Sequence, residues 1–315
     1  MRMMMNGLTR RGLLALPALL AVAASPTGVL RVGDQRGGAK AQMQAAGVLK
    51  DLPYTLEWVL FAAASPLLEA MNADAVDTGG VGDAPFAFAR AAGMQVKAIA
   101  ATRSTGASTA IVVAGDSPFH GLQDLKGKRI GTGKGSVGHF LVLAALEKNG
   151  MTAKDIQFAF LQPADARAAL ASGAIDAWST WSQYVFMAVE QGGARIVLDG
   201  TGLMSGLSYS LATDKAIAAK RDMLADYTRR LVAAQLWGLA NMDAYSKVWA
   251  DETKVTPSVA LATLKARGFT PALIDARMIA DQQRTVDGYI KAGVLPGPQD
   301  AAAGFDTSFN GSTGL

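Results

Sequence analysis

The run Thr78-Gly79-Gly80-Val81-Gly82-Asp83-Ala84-Pro85 restricts the possible folds more than any other stretch of the chain. It follows a short β-like run at 75–77 and precedes an apolar, alanine-rich helix around 86–92. A strand that stops in glycines and restarts as a helix presents unpaired backbone N–H groups at the positive end of the helix dipole, which suits an anion. A second junction of this kind appears at Gly131-Thr132-Gly133-Lys134-Gly135-Ser136-Val137-Gly138. Two such junctions suggest an anionic ligand held between two α/β units. Lys134-Gly135-Ser136 resembles the end of a phosphate loop, but the full glycine spacing of a nucleotide motif is absent.

The N-terminal residues are set apart from the fold. Thr9-Arg10-Arg11-Gly12-Leu13-Leu14 opens an apolar run to Ala24, and Ala21-Val22-Ala23 offers a small-residue cleavage site. Residues 1–24 therefore read as an export signal, with paired arginines that fit the twin-arginine variety. The run is short of the roughly 20 residues that span a bilayer. Without the three arginines of this leader, 27 Lys and Arg face 26 Asp and Glu. A near-neutral chain without a basic stripe gives no reason to expect nucleic acid. The absence of cysteine excludes disulfides, thiolate metal sites and cysteine nucleophiles, and suits an exported periplasmic protein. Two histidines, His120 and His139, cannot form a histidine-rich metal cluster. No metal and no cofactor are expected.

Strand and helix patterns alternate through most of the chain, which argues for a mostly parallel sheet. Strands are expected at 29–33, 56–61 and 96–101, with helices at 35–50 and around 66–71. The plan then repeats: strands at 129–131, 156–161, 175–178 and 195–198, and helices at 137–149 and 163–172. A local phrase repeats as well, Leu67 to Asp77 beside Ala168 to Asp176, each a helix, a small-residue turn and a strand starting near Asp. From Asp214 onward the pattern is helical, with helices at 223–241 and 274–291, no clear strand, and a frayed end at 311–314.

Several phrases occur in a characteristic order: Val32-Gly33-Asp34-Gln35-Arg36-Gly37-Gly38, Leu67-Leu68-Glu69-Ala70-Met71-Asn72-Ala73, and Gly79 to Pro85. They continue with Asp124-Leu125-Lys126-Gly127-Lys128-Arg129-Ile130-Gly131, Lys134-Gly135-Ser136, Pro163-Ala164-Asp165-Ala166-Arg167, and Asp176-Ala177-Trp178-Ser179-Thr180-Trp181. Together they resemble the aliphatic-sulfonate/nitrate/taurine-type periplasmic solute-binding proteins of ABC importers. The resemblance implies an α/β, two-lobed periplasmic-binding-protein fold (type II) with the ligand in the inter-lobe cleft. Lobe I would hold 28–104, completed by 214–315, and lobe II 108–208, joined by two crossover strands near 102–112 and 208–213. It implies a monomer whose partners are a small anionic ligand and membrane permease subunits, with closure of the lobes on binding. The chain departs from the family in Asp34, in Ser182-Gln183-Tyr184 after the second tryptophan, and in Val137-Gly138 where hydroxyl residues are usual.

Candidate ligand-binding residues follow. Gly82 and Asp83 sit where a helix start would meet the ligand, with Asp83 either a plain N-cap or a cap that turns its N–H to the anion. Ser136 and Val137 form the counterpart in lobe II, through a hydroxyl and neighbouring N–H groups, or else a simple turn. Gln35 follows the first strand, at the edge where open α/β sheets bind ligands. Trp178 and Trp181, around a strand-to-helix turn, either wall the cleft or pack in the core. His139 either donates to the anion or caps its helix, and Arg103 near a crossover is a possible charge partner. Three functions are weighed: an oxyanion receptor, an enzyme on the same scaffold using Ser136 and His139, and a receptor for a thiamine-precursor-like heterocycle using Trp178, Trp181, Asp34 and Gln183. No acid is evident to orient His139, so no catalytic residue is assigned.

Overall fold

The computed structural model describes residues 28–315; the export-signal reading at 1–24 lies outside them. In chain order the elements of the first half are β1 (Val29–Gln35), α1 (Ala39–Ala45), β2 (Thr55–Phe61), α2 (Ala64–Asn72), β3 (Thr78–Gly82), α3 (Asp83–Ala91), β4 (Val96–Arg103), β5 (Thr109–Val113), β6 (Arg129–Thr132) and α4 (Val137–Lys148). There follow β7 (Gln157–Phe160), α5 (Pro163–Ala171), β8 (Ala177–Trp181), α6 (Gln183–Glu190), β9 (Arg195–Asp199) and β10 (Leu207–Thr213). The tail holds α7 (Asp214–Ala219), α8 (Arg221–Ala240), α9 (Met242–Thr253), α10 (Pro257–Arg267), β11 (Thr270–Ala272) and α11 (Ala276–Lys291).

Two sheets form, in the orders β11-β4-β10-β3-β1-β2 and β7-β6-β8-β5-β9. Both share one plan. A first strand (β1, β6) lies parallel to its two neighbours, and the next strand along the sheet is antiparallel: β10 beside β3, and β5 beside β8. Each antiparallel strand is the first one the chain makes after crossing from the other sheet. The repeated phrase has a physical basis here. Arg31 N–H donates to the Asp77 carboxylate at 2.7 Å, and Arg129 N–H to that of Asp176 at 2.7 Å. The two aspartates return their N–H groups to the same arginines' carbonyls, at 2.8 and 2.9 Å. Each pair fixes where the third strand of its unit starts against the first.

Both faces of each sheet are covered, as parallel strands require. Leu67, Leu68 and Met71 of α2, Phe86 and Ala89 of α3, and Met278 of α11 bury against one face of the first sheet. Met43 of α1 with Leu224, Tyr227 and Leu231 of α8 covers the other. In the second sheet, Leu141, Val142, Ala145 and Leu146 of α4 pack on one face, with Ala166, Leu170, Val185 and Ala188 of α5 and α6 opposite. We call each sheet with its helices a lobe, the first I and the second II.

Several expectations need correction. The glycines of residues 78–82 do not end a strand at 75–77; they are strand β3 itself. A β-carbon on Gly79 would stand 2.8 Å from the Gly33 carbonyl oxygen and 2.9 Å from Leu67, so β1 and α2 leave room only for glycine. The helix expected at 35–50 is α1 alone, because β1 keeps pairing with β2 through Gln35. The tail does contribute a strand: β11 joins the sheet edge beside β4, and its Pro271 sits where an edge tolerates a missing N–H. The stretch 311–314 is not frayed throughout, since Thr313 is buried and donates through its N–H and Oγ1 to the Asn310 carbonyl at 3.2 and 2.8 Å. The chain changes sheets through 104–108 and 200–206, and β10 lies wholly in the first sheet. Ser104 N–H donates to the Gly206 carbonyl at 2.8 Å, tying the two connections together. Gly206 has φ +67°, and a β-carbon there would collide with the Ser104 carbonyl oxygen.

Candidate functional site

A cleft of ≈ 850 Å³ lies between the lobes, where the carboxyl ends of β1, β2, β3, β6, β7 and β8 give way to helices. Open α/β sheets place ligands at this edge. The starts of α2, α3, α4 and α6 and the residue preceding α5 all line the cleft, so several positive helix ends converge on one space. No side chain caps α2, α3, α5 or α6 by a hydrogen bond. Glu69 and Asp165 add negative charges to the lining, and Arg36, Lys134 and Arg267 add positive ones. Asp34 does not oppose them, because its carboxylate already accepts the N–H groups of Ala39 (3.0 Å) and Lys40 (2.8 Å) at the start of α1. Burial pushes its pKa up to about 6. Asp34 is a helix cap and not a partner for a heterocycle, a correction to that reading.

The two glycine-rich junctions meet across the cleft. A β-carbon on Gly82 would fall 2.6 Å from a methyl of Val137, so lobe I approaches lobe II there as closely as glycine permits. Gly82, not Asp83, is the N-cap of α3. Asp83 is the first helical residue and is buried; its carboxylate accepts from its neighbour Ala84 N–H at 2.7 Å and Thr285 Oγ1 at 3.1 Å. It also accepts from Ser205 Oγ of the 200–206 connection. Burial raises its pKa, and these three donors lower it in part. The carboxylate thus faces the connection and α11, and the expectation that Asp83 caps α3 is corrected.

At the lobe II junction, Ser136 is the N-cap of α4 and its Oγ accepts from His139 N–H at 3.2 Å. Its hydroxyl lies 3.4 Å from Thr132 Oγ1. The N–H groups of Gly135 and Ser136 have internal acceptors, His139 Nδ1 at 3.2 Å and the Gly133 carbonyl at 3.1 Å. Among the described residues, the Val137 N–H takes no hydrogen-bond partner. An anion in the cleft can therefore accept from the Val137 N–H and the Ser136 hydroxyl.

His139 is not a ligand group. It is 1% exposed, and Phe158, Phe160 and Tyr289 pack around its ring at centroid distances of 4.8, 5.2 and 5.7 Å. Burial first, then Lys134, pushes its pKa down to about 4. Because Nδ1 accepts a backbone N–H, the ring is neutral with its proton on Nε2. Trp178 is likewise corrected: it is 2% exposed in the lobe II core. Both tryptophans lie in strand β8 and not around a turn. Residues three apart on a strand point to opposite faces, so Trp178 enters the core while Trp181 lines the cleft.

Gln35 lines the cleft with its amide donating to the Gly80 carbonyl at 3.0 Å. Arg103 is outside the lining and pairs with Asp281 at 2.6 Å. Residues missed by sequence reading include Arg36, Phe160, Tyr184 and Arg267. Arg267 reaches the cleft from the end of α10, where its guanidinium donates to the Gly37 carbonyl at 3.1 Å. Three contacts bridge the lobes at residues of the cleft: Tyr184 OH to the Ala62 carbonyl at 3.1 Å, Gln183 Nε2 to the Arg36 carbonyl at 3.4 Å, and Tyr289 OH of α11 to the Ser136 carbonyl at 3.1 Å. Among the described residues no group of three or more His, Cys, Asp or Glu is placed to hold a metal ion.

The family model described as NMT1/THI5 like matches residues 62–242. The chain belongs to the NMT1/THI5-like family. An Escherichia coli (strain K12) protein named for aliphatic sulfonate binding is 38% identical over 204 residues, which is 64% of each chain. The chain thus spans just under two thirds of that relative. The solved alkanesulfonate-binding protein SsuA from Xanthomonas axonopodis pv. citri, bound to MOPS, superposes with a TM-score of 0.81 at 32% identity, covering 90% of this chain and 99% of that one. The periplasmic aliphatic sulphonate binding protein SsuA from Escherichia coli gives 0.79 at 30% identity, again over 90% and 99%. The periplasmic-binding-protein architecture is therefore shared along nearly all of the described chain.

Proposed function

We propose that this protein is an exported, periplasmic solute receptor that binds a small organic oxyanion, foremost an aliphatic-type sulfonate or related organosulfur compound. It delivers that ligand to the membrane permease of an ABC importer and works as a monomer. Residues 28–104 with 214–315 move as one body against 108–208, closing on the ligand. One observation carries the reading: uncapped helix starts and the free Val137 N–H line a single cleft in which Arg36, Lys134 and Arg267 outnumber the two remaining carboxylates, Glu69 and Asp165, with Asp34 and Asp83 already satisfied elsewhere. The relatives named for sulfonate binding point to the same ligand class. A sulfonate head is held by Val137 N–H, the Ser136 hydroxyl and the dipoles, while Trp181 packs the tail.

The site favours binding over turnover. The His139 ring faces an aromatic cluster and uses Nδ1 on Gly135, so it is no base for Ser136. Native mass spectrometry of the protein purified without refolding tests the ligand class. A co-purified mass matching a sulfonate is expected; a pyrimidine mass would replace the oxyanion reading with the heterocycle one.

A further inference from the structure

We propose that the lobes part at one end of their contact only. The seam of α3, α4 and α11 stays shut in the empty and the loaded protein, and opening swings α6 away from α10 and the Arg36–Gly37 loop. This rests on the receptor reading above and says where the ligand enters. The two ends of the contact differ in kind. At the seam, Phe140 and Leu143 of α4 are buried with Ala84 and Ala87 of α3 and with Val286 and Tyr289 of α11. Among the described residues this is the one apolar cluster that draws on both lobes. Its rings interlock. Tyr289 meets Phe88 edge-on at 4.9 Å and Phe140 at 5.2 Å. Phe88 in turn lies over Gly135 of lobe II, where a β-carbon would stand 2.8 Å from the ring. Parting here would wet several aromatic and aliphatic side chains at once, which the hydrophobic effect opposes.

Helix α11 is fastened to both lobes. Its first half belongs to lobe I: Arg103 pairs with Asp281 at 2.6 Å, and Gln282 Nε2 donates to the Asp83 carbonyl at 3.0 Å. Its second half holds lobe II: Tyr289 OH donates to the Ser136 carbonyl at 3.1 Å, and Lys291 pairs with Glu147 at 2.5 Å. One continuous helix over Ala276–Lys291 cannot follow both lobes if they separate along it. The other end is polar. Tyr184 OH and Gln183 Nε2 donate to the Ala62 and Arg36 carbonyls, and Ser258 Oγ of α10 donates to Glu190 of α6 at 2.8 Å. The buried apolar side chains of α6, Val185 and Ala188, turn into the lobe II core and not toward lobe I. Water can replace each of these hydrogen bonds, so parting here costs far less than wetting the seam. Ser136, gripped by Tyr289, is the N-cap of α4 beside the Val137 N–H. The oxyanion donors thus keep their place against lobe I in both states. The ligand head docks there first, and α6 closes behind it.

The sequence has no cysteine, so spin labels go only where they are introduced. Lys148→Cys with Asp287→Cys sets one pair across α4 and α11. Gln191→Cys with Lys265→Cys sets another across the end of α6 and α10, and all four positions are exposed. Double electron–electron resonance is recorded on both variants, empty and with ethanesulfonate or hexanesulfonate. The empty protein is expected to show an α6–α10 population longer by at least about 5 Å, which the sulfonate removes, while the α4–α11 distance stays single throughout. An α4–α11 shift as large as the α6–α10 one would overturn the one-sided opening and leave the receptor reading standing. One fixed α6–α10 distance with and without ligand would overturn it as well. Two α6–α10 populations that neither sulfonate alters would instead overturn the sulfonate reading and leave the seam.

Discussion

The two glycine-rich junctions look alike in sequence and do different work in the structure. At β3–α3 the cap is Gly82, and the first-turn carboxylate of Asp83 is tied to Ser205 in the connection between lobes and to Thr285 of α11. At β6–α4 the cap is Ser136, behind it lies the neutral His139, and the Val137 N–H is left over. The lobe II junction leaves a donor over, while the lobe I junction fits against it and is tied through Asp83 to the 200–206 connection. A pair of equal anion cradles, which the sequence suggests, would not need Asp83 at the first turn of one of them.

The largest effect should come from forcing the two junctions apart. Gly82→Leu places a branched side chain where a β-carbon already meets Val137 at 2.6 Å, so the lobes cannot shut. Ligand affinity should fall at least 100-fold, about 3 kcal/mol, while the melting temperature changes little because Gly82 is extended and lies at the cleft edge. A Gly82→Leu variant that binds normally would break the proposed pairing of the junctions.

Next is Asp83→Asn. Asp83 Oδ2 accepts from both Ser205 Oγ and Thr285 Oγ1 and Oδ1 from Ala84 N–H, so an amide N–H₂ must face either the two hydroxyls or the backbone N–H, which should cost about 2 kcal/mol of folding stability. Urea unfolding measures this, and the same variant should weaken binding less than Gly82→Leu does. A wild-type stability would show that the tie from Asp83 to Ser205 and Thr285 is idle.

The His139 ring offers a pH test on the other junction. Its folded pKa of about 4 lies below the ordinary histidine value of 6.5, so the unfolded chain binds the extra proton. Stability from this group is full above pH 6.5 and is lost as pH falls toward 4. Between pH 7.5 and 5 the loss should be about 2 kcal/mol. Asp34 works in the opposite sense: its raised pKa adds stability as pH falls from about 6 toward 4. His139→Phe should abolish only the histidine part, seen as a smaller difference between urea midpoints at the two pH values. An identical pH dependence would mean the ring is charged or solvated in the folded protein.

The smallest expected effect is that of Ser136→Ala, which removes one hydroxyl donor but keeps the Val137 N–H. Affinity for a sulfonate should drop about tenfold, near 1.4 kcal/mol. A drop as large as that of Gly82→Leu would put the head group's hold on the hydroxyl instead of the helix end.

Much of this was legible because it rests on local pattern. Strand and helix alternation, the repeated helix-to-Asp phrase and the position of Ser136 need only neighbouring residues. What the sequence hid depends on pairing at a distance. The glycines of β3 read as a turn until β1 and Leu67 are seen to occupy the space of their side chains. Trp178 and Trp181 could not be told apart while their strand was thought to end before the second. His139 read as a donor because the rings that bury it come from β7 and α11. Arg267 carried no signal, since α10 meets the Gly37 loop only in the folded tail.

The most direct measurement is a calorimetric titration of the folded protein with a panel of sulfonates, sulfate ester and nitrate, with the ligand recovered afterwards and its mass checked. One site per chain, a dissociation constant of about micromolar or below (about −8 kcal/mol) for a sulfonate, and ligand recovered unchanged are expected. Absence of binding across the panel, or recovery of a converted product, would contradict a receptor that holds an oxyanion between these two junctions.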